Sequence, residues 1–318
     1  MDNLAILIPA YNEAATIQKV VRDIKLATNK IEKVAIYVYD NNSSDDTARL
    51  AEEAGAIVRH EYVQGKGAVI RRMFRDVDAN AYVMIDADDT YPAEVIPDMY
   101  RLILEKRTDM VVGDRLSSTY FEENKRLFHN SGNAIVRKLI NLLFRTDIKD
   151  ILTGYRAFSY QFVKTFPVLS KGFEIETEMS IHSAESKMYV ENLVIDYRDR
   201  PTGSESKLNT VSDGIKVIGT VAKLYRVYHP MAFFGSVATV LAILSFAFFI
   251  ARVWLPYLHT GLVDNMPTLV VTMIGLLTAI VSVFTGLILS AIQSNEKQGF
   301  EFELIRASDK LKALKERS

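Results

Sequence analysis

Two stretches of this 318-residue chain carry no charge, Met231 to Ala251 and Leu269 to Ile292. Each is close to the ~20 residues that an α-helix needs to cross a bilayer. Both are apolar all round, without the polar stripe of a helix half-exposed to water. The second also holds Gly275, Ser282, Gly286 and Ser290, small residues that let membrane helices pack closely and that permit self-association. A hairpin of two spanning helices is therefore expected. Basic residues orient it. Lys207, Lys216, Lys223 and Arg226 precede the first span, and Lys297, Arg306, Lys310 and Lys312 follow the second. The connection, Arg252 to Asn265, has Arg252 alone, so the positive-inside rule puts both long ends on the cytoplasmic side. Trp254 and Tyr257 lie where an interfacial aromatic belt belongs.

The rest of the chain reads differently. It opens "MDNLAILIPAYNE", with an acid at position 2 and no basic leader, which predicts the first strand of a cytosolic domain and not a signal peptide. Short Val- and Ile-rich runs ("LAILIPAY", "VAIYVYD", "AIVRHE", "AYVMIDAD", "DMVVGDR") alternate with helical patterns ("EAATIQKVVRDIKLA", "DDTARLAEEAG", "KGAVIRRMFRDV"). That alternation predicts an α/β domain whose mainly parallel sheet is covered by helices on both faces. Ligands of such sheets bind beyond the carboxyl ends of the strands, where "PAYNE", "DNNSSDDT" and "DADD" fall. The expected organisation is a cytoplasmic catalytic domain over residues 1–206 and an amphipathic interfacial helix over 207–229. Two membrane helices with a short external loop follow over 230–294, then a charged, solvated helical tail over 295–318. The net charge of −1 gives no reason to expect nucleic acid as a partner. The lack of cysteine excludes disulfides, zinc–thiolate sites and a cysteine nucleophile.

The acids of "DADD" pose the chemical question. In an extended segment Asp86 and Asp88 face the same side, and Asp89 turns away or caps the next helix. Two converging carboxylates suit a hard divalent cation, Mg²⁺ or Mn²⁺, with substrate phosphate oxygens completing its shell. Neither a P-loop nor a GxGxxG fingerprint is present. "QGKGAVIRR" instead sets Lys66 between Gly65 and Gly67 at a helix start, where backbone amides and an ammonium can approach a phosphate.

In order and spacing, "IPAYNE", "YDNNSSDDT", "GKGAVIR" and "DADDTYP" resemble the family 2 glycosyltransferases of GT-A (Rossmann-like) fold. "GDR" (Gly113 to Arg115), "DILTGYR" (Asp150 to Arg156) and "YRDRPTGSESKL" look like the polyprenyl-phosphate members, the dolichol-phosphate mannose synthases and bacterial bactoprenol-phosphate glucosyltransferases. The resemblance covers residues 1 to about 208, and the C-terminal hairpin matches the bacterial members. It implies a nucleoside diphosphate sugar as donor, its base against Pro9, Tyr11, Glu13 and Asp40. It implies a diphosphate reaching a metal at Asp86 and Asp88, helped by Lys66, Arg115 or Arg200. Transfer would proceed with inversion, and Asp88, Asp89, Arg115, Asp150 and Arg156 are the expected catalytic set. One departure stands out: the family's "DDGS" is here Asp40-Asn41-Asn42-Ser43, so the base could be uracil or guanine. The only Trp, Trp254, lies by the membrane helices, which argues against the QxxRW element of processive polymer synthases.

The acceptor implied is a polyprenyl phosphate, undecaprenyl phosphate in a bacterium. A phosphate monoester, with a second pKa near ~6, is already largely dianionic at neutral pH, so no catalytic base is required. The protein must instead bring two anions together, which gives basic residues a task. Arg115, Arg156, Arg200 and Lys207 are the expected grip on the acceptor phosphate, with Arg126, Arg137 and Arg198 as further candidates. Glucose from UDP-glucose is the favoured sugar. A GDP-mannose-dependent transferase and a non-catalytic nucleotide-sugar-binding scaffold are the alternatives. Glu176 and Glu178, in "FEIETEM", recur at a spacing that suits no single helix face and receive no role.

Overall fold

Leu4 to Ile8 in the first strand have no exposed surface, which a strand achieves only at the centre of a sheet covered on both faces. The structure is a computed structural model and describes residues 1–117, 137–196, 198 and 210–316, the side chains of 210–215 excepted. The chain divides into two compact units, Met1–Val221 with Phe300–Ser318, and Ala222–Gly299.

The first unit holds a seven-stranded sheet in the order β3-β2-β1-β4-β6-β5-β7. Its strands are β1 (Asp2–Ala10), β2 (Val34–Asp40), β3 (Ile57–His60), β4 (Ala79–Met84), β5 (Met110–Asp114), β6 (Arg156–Ser159) and β7 (Val190–Val194). All neighbouring pairs are parallel except those of β6, which runs antiparallel to both β4 and β5. The helices are α1 (Ile17–Ala27), α2 (Thr47–Glu53), α3 (Lys66–Asp76), α4 (Ile96–Glu105), α5 (Tyr160–Thr165), α6 (Ile175–Glu185) and α7 (Thr210–Tyr228). In α1 the buried residues Ile17, Val20, Val21 and Ile24 recur at helical spacing. They join Ile96, Met99 and Ile103 of α4 against Leu4, Ile6, Ile8, Val38 and Val83 on one face of the sheet. On the other face, Phe74 of α3 meets Phe158 of β6 edge-on at 5.5 Å, and Phe158 stacks on Phe162 of α5 at 4.8 Å.

The second unit contains most of two helices that are long and apolar enough to cross a membrane, α8 (Pro230–Thr260) and α9 (Met266–Glu316). Small residues set their contact: a Cβ on Gly275 would lie 2.1 Å from Ser245 Oγ, and one on Gly286 would lie 3.2 Å from Phe234 Cβ. Beyond Gly299, α9 belongs to the first unit. The charged tail expected there is mostly exposed, and one face of it packs. The Phe300 ring lies 5.4 Å from that of His182 on α6, Ala307 is buried, and Lys310 approaches Asp78 at 3.9 Å. Phe300 and Ala307 are seven residues apart, two helical turns, so they share the face turned to the domain. In α7, Val217 and Val221 are buried within the protein while Lys216 and Lys223 stay exposed.

Candidate active site

The carboxyl ends of β1, β2 and β3 meet in register, Ala10 opposite Asp40 and Asp40 opposite His60. The loops after β1 and β2 interlock there. Asn12, in a left-handed conformation at φ 52°, donates its N–H to Ser43 Oγ and accepts from Ser44 N, while Glu13 N donates to Thr47 Oγ1. Pro9 is half-buried, Tyr11 partly exposed and Glu13 buried, so the expected base-binding residues gather at one corner. Asp40 is 4% exposed. Its Oδ2 accepts from Ser43 N at 3.3 Å and lies 3.3 Å from His60 Nδ1, which must carry the proton toward an acceptor-only carboxylate. Its Oδ1 is enclosed and accepts no hydrogen bond among the described residues. A buried acceptor without a donor calls for one from a ligand or water. His60 was not anticipated from sequence, because only the β2–β3 register brings it to Asp40.

The departure at Asn41 and Asn42 has a structural reason. Asn41 Nδ2 donates to Glu61 O and Val63 O, and its Oδ1 accepts from Gly65 N at 2.8 Å and Gln64 Nε2. Asn42, at φ 60°, donates to Tyr62 O. A carboxylate at position 41 could accept but not donate. The two amides thus fix the 61–65 loop that delivers Lys66.

Lys66 Nζ lies 2.7 Å from Asp86 Oδ1 and 2.7 Å from Glu176 Oε1. Burial lowers the pKa of this ammonium, but the two carboxylates outweigh that and raise it above its ordinary value. Burial raises the Glu176 pKa, against the pull of Lys66. A side chain at Gly154 would displace the cluster, since a Cβ there would lie 2.6 Å from Asp86 Oδ2 and 2.8 Å from Lys66 Nζ. The glycines flanking Lys66 serve packing and not an open phosphate cradle. A Cβ at Gly65 would lie 2.3 Å from Lys171 O, one at Gly67 would lie 2.1 Å from Ser170 O, and Gly67 N already donates to Lys171 O. The expectation of free helix-start amides at Gly67 is corrected accordingly. Glu178 accepts from Leu169 N and Ser170 N, holding that loop in place.

The acids of "DADD" do not lie in an extended strand. β4 ends at Met84, and residues 87 and 88 form a turn. Turn geometry, and not strand alternation, therefore sets where they point. Asp86 faces Lys66, and Asp88, 4% exposed, accepts from Thr90 Oγ1 at 2.6 Å and Thr90 N. Asp89 sits at φ 59° and pairs with Lys19 at 2.8 Å. Among the described residues no group of three or more His, Asp or Glu gathers as a cation cage. Two carboxylates, Asp86 and Asp88, fit the donor set of Mg²⁺ or Mn²⁺, which keeps waters and substrate oxygens in most of its shell.

On the basic side, Arg115 forms a two-pronged pair with Asp150, Nε to Oδ2 at 2.7 Å and Nη2 to Oδ1 at 3.1 Å. Asp150 thus orients Arg115 and not Arg156. The Arg115 guanidinium lies 5.8 Å from the Tyr91 ring centroid, and the Tyr91 hydroxyl accepts from Gly154 N at 3.3 Å. Arg115 therefore reaches the Asp86–Lys66 cluster through one ring and one glycine. Arg156 does not fit the expected grip on a phosphate. It has no exposed surface and donates to Thr153 O, Ile151 O and Ser180 Oγ inside the domain. Arg198 pairs with Glu94, and Arg137 reaches Lys149 O. Arg126, Arg200 and Lys207 lie outside the described residues.

The sequence profile of Glycosyl transferase family 2 matches residues 5–166. The glycosyltransferase AglJ of Haloferax volcanii is 31% identical over 93% of this chain and 96% of its own length. A dolichyl-phosphate hexose transferase of the same organism is 28% identical over 70% of this chain and 94% of its own. Among solved structures, glucosyl-3-phosphoglycerate synthase from Mycobacterium tuberculosis, in complex with Mn²⁺, UDP and glucosyl-3-phosphoglycerate, superposes with a TM-score of 0.55 at 20% identity. The match covers 70% of this chain and 79% of that one, and establishes a shared GT-A fold.

Proposed function

The chain belongs to glycosyl transferase family 2, and from that premise we propose that it moves a hexose from a nucleoside diphosphate sugar to a polyprenyl phosphate at the cytoplasmic face of a bacterial plasma membrane. Glucose from UDP-glucose is the favoured donor sugar, and undecaprenyl phosphate the favoured acceptor. The family supports the sugar transfer. The relative named for dolichyl-phosphate hexose transfer and the two apolar helices support the lipid acceptor.

The observation that carries the reading is the contact chain from acids to arginine. Asp86 and Lys66 abut Gly154, Gly154 bonds Tyr91, and Tyr91 lies under Arg115. In this reading the base lies at Pro9, Tyr11, Glu13 and Asp40, and the Lys66 ammonium faces the diphosphate. A divalent cation held at Asp86 and Asp88 would offset negative charge developing on the departing nucleotide. Arg115, kept in place by Asp150, draws in the acceptor phosphate, with Arg200 and Lys207 as further cationic partners. An acceptor phosphate oxygen forms the new bond to the anomeric carbon as the bond to the nucleotide diphosphate breaks, with inversion. The dianionic acceptor needs no base, and the burial of Glu176 and limited exposure of Lys66 make charge complementarity worth more than in open water. A polyprenyl chain leaves a bilayer only at about 0.8 kcal/mol per CH₂, so the catalytic unit works at the membrane surface.

The test is transfer of radiolabel from UDP-glucose into solvent-extractable lipid, using purified full-length protein and undecaprenyl phosphate. Assays would run with Mg²⁺, Mn²⁺ or EDTA, beside Asp88→Asn. Metal-dependent labelling lost in the variant supports the reading. Labelling from GDP-mannose alone keeps the mechanism and changes the donor. Nucleotide binding without transfer from any donor overturns it in favour of a non-catalytic binding protein.

A further inference from the structure

The acids of "FEIETEM" have no part in the proposed transfer, yet they brace its central cation. Glu176 and Glu178 both fall in the first turn of α6 and both are buried. Their spacing aims them differently. Glu176 reaches Lys66 Nζ directly, at 2.7 Å. Glu178 holds the Leu169 and Ser170 amides, and so the loop whose Ser170 and Lys171 carbonyls sit on the glycines beside Lys66. Lys66 is shared equally between Glu176 and Asp86, at 2.7 Å from each. An ammonium has three donors, and two are spent on these carboxylates.

We propose that Glu176 is a positioning residue that shares Lys66 with Asp86 and loosens the ammonium's hold there, so that Asp86 can take a divalent cation while the ammonium stays beside the diphosphate. The inference rests on the proposed donor and cation sites. Its physical basis is competition. Lys66 and a cation are like charges seeking the same carboxylate, so each weakens the other's hold on Asp86. A second carboxylate on the ammonium weakens the hold of Lys66 on Asp86 without removing Lys66 from the site. No covalent step is assigned to Glu176, and its 3% exposure leaves it shielded from bulk solvent.

The experiment is Mn²⁺ binding to full-length protein saturated with UDP, followed by electron paramagnetic resonance, for wild type and three variants. In Glu176→Gln, Lys66 is left with Asp86 as its only carboxylate partner of the two, and Mn²⁺ binding is expected to weaken about tenfold, the scale of one charge-assisted hydrogen bond. In Lys66→Met the competitor is gone, and Mn²⁺ is expected to bind more tightly than in wild type. Lys66→Met with Glu176→Gln should bind Mn²⁺ at least as tightly as wild type, while sugar transfer is lost for want of the ammonium beside the diphosphate. General damage to the fold would weaken binding in all three, so the opposed signs identify the competition. Should Glu176→Gln not fold, Lys66→Met decides alone: binding no tighter than wild type overturns the proposal. Unchanged affinity in Glu176→Gln overturns it too, as does failure of the double variant to recover. If wild type with UDP binds no Mn²⁺, the cation reading itself falls and this inference with it.

Discussion

Replacing Arg156 by Met separates a structural arginine from one that grips substrate. The guanidinium is fully buried and donates to Thr153 O at 3.0 Å, Ile151 O at 2.6 Å and Ser180 Oγ at 3.0 Å. Hydrogen bonds to a charged group contribute roughly 1.5–3 kcal/mol each, so three amount to about 6 kcal/mol. Against this stands the cost of burying the cation. Burial depresses the Arg156 pKa to about 10, opposed by Glu176 and Asp150. A shift of that size corresponds to about 3 kcal/mol that the variant recovers. The net expected loss is about 3 kcal/mol. For a domain of this size each kcal/mol moves the midpoint by about 2–4 °C, so a fall of about 6–12 °C is expected in thermal unfolding at a fixed scan rate. Arg156→Lys should also fall, because an ammonium cannot reproduce the planar fork. In transfer assays on the folded fraction, the KM for polyprenyl phosphate should stay within about twofold of wild type. An unchanged midpoint with an acceptor KM raised tenfold or more would refute this reasoning and return Arg156 to the acceptor site.

Two glycines should differ in their effect on stability. Gly154→Ala pushes only on the flexible ends of Asp86 and Lys66, so the melting midpoint should hold within a few degrees while transfer falls about a hundredfold. Gly67→Ala would set a Cβ 2.1 Å from the Ser170 carbonyl, which is backbone, so it should lower the midpoint as well as activity. His182 supplies a pH prediction. Burial among Phe162, Phe166 and Phe300 lowers its pKa to about 4 from 6.5, so it folds neutral while the unfolded chain takes up a proton below pH 6.5. Its effect is nil above pH 6.5. As pH falls from 6.5 to 4 it removes about 3 kcal/mol of stability, and below 4 the loss levels off. His182→Phe should flatten that part of the pH–stability curve, measured by thermal unfolding; an unaltered slope would count against it.

The α/β layout and the corners of the site are legible in the sequence because they are local. Strand and helix periods, and clusters such as "PAYNE" and "DADD", lie within a few residues of one another. What escapes is set by contacts between distant segments. Glu176 and Glu178 present no common helix face because they serve two partners, Lys66 and the Leu169–Ser170 backbone. Arg156 falls in the same motif as Asp150, yet β6 runs inside the sheet and turns its guanidinium inward, leaving Arg115 to take Asp150. The amides at Asn41 and Asn42 are visible as a departure, but their purpose needs the carbonyls of a loop 20 residues on. The tail after Asn295 looks solvated by composition, and most of it is exposed. Only its helical phase against His182 reveals that Phe300 packs.

The central claim is that the acceptor is a lipid phosphate, which needs cationic placement and no base. It is tested most directly by offering full-length protein in nanodiscs two acceptors of equal chain length, undecaprenyl phosphate and undecaprenol, with the same labelled sugar donor and Mg²⁺. Label is expected on the phosphate alone, as a sugar–phosphate–lipid product identified by mass. Label on the alcohol, at a comparable rate, would contradict it.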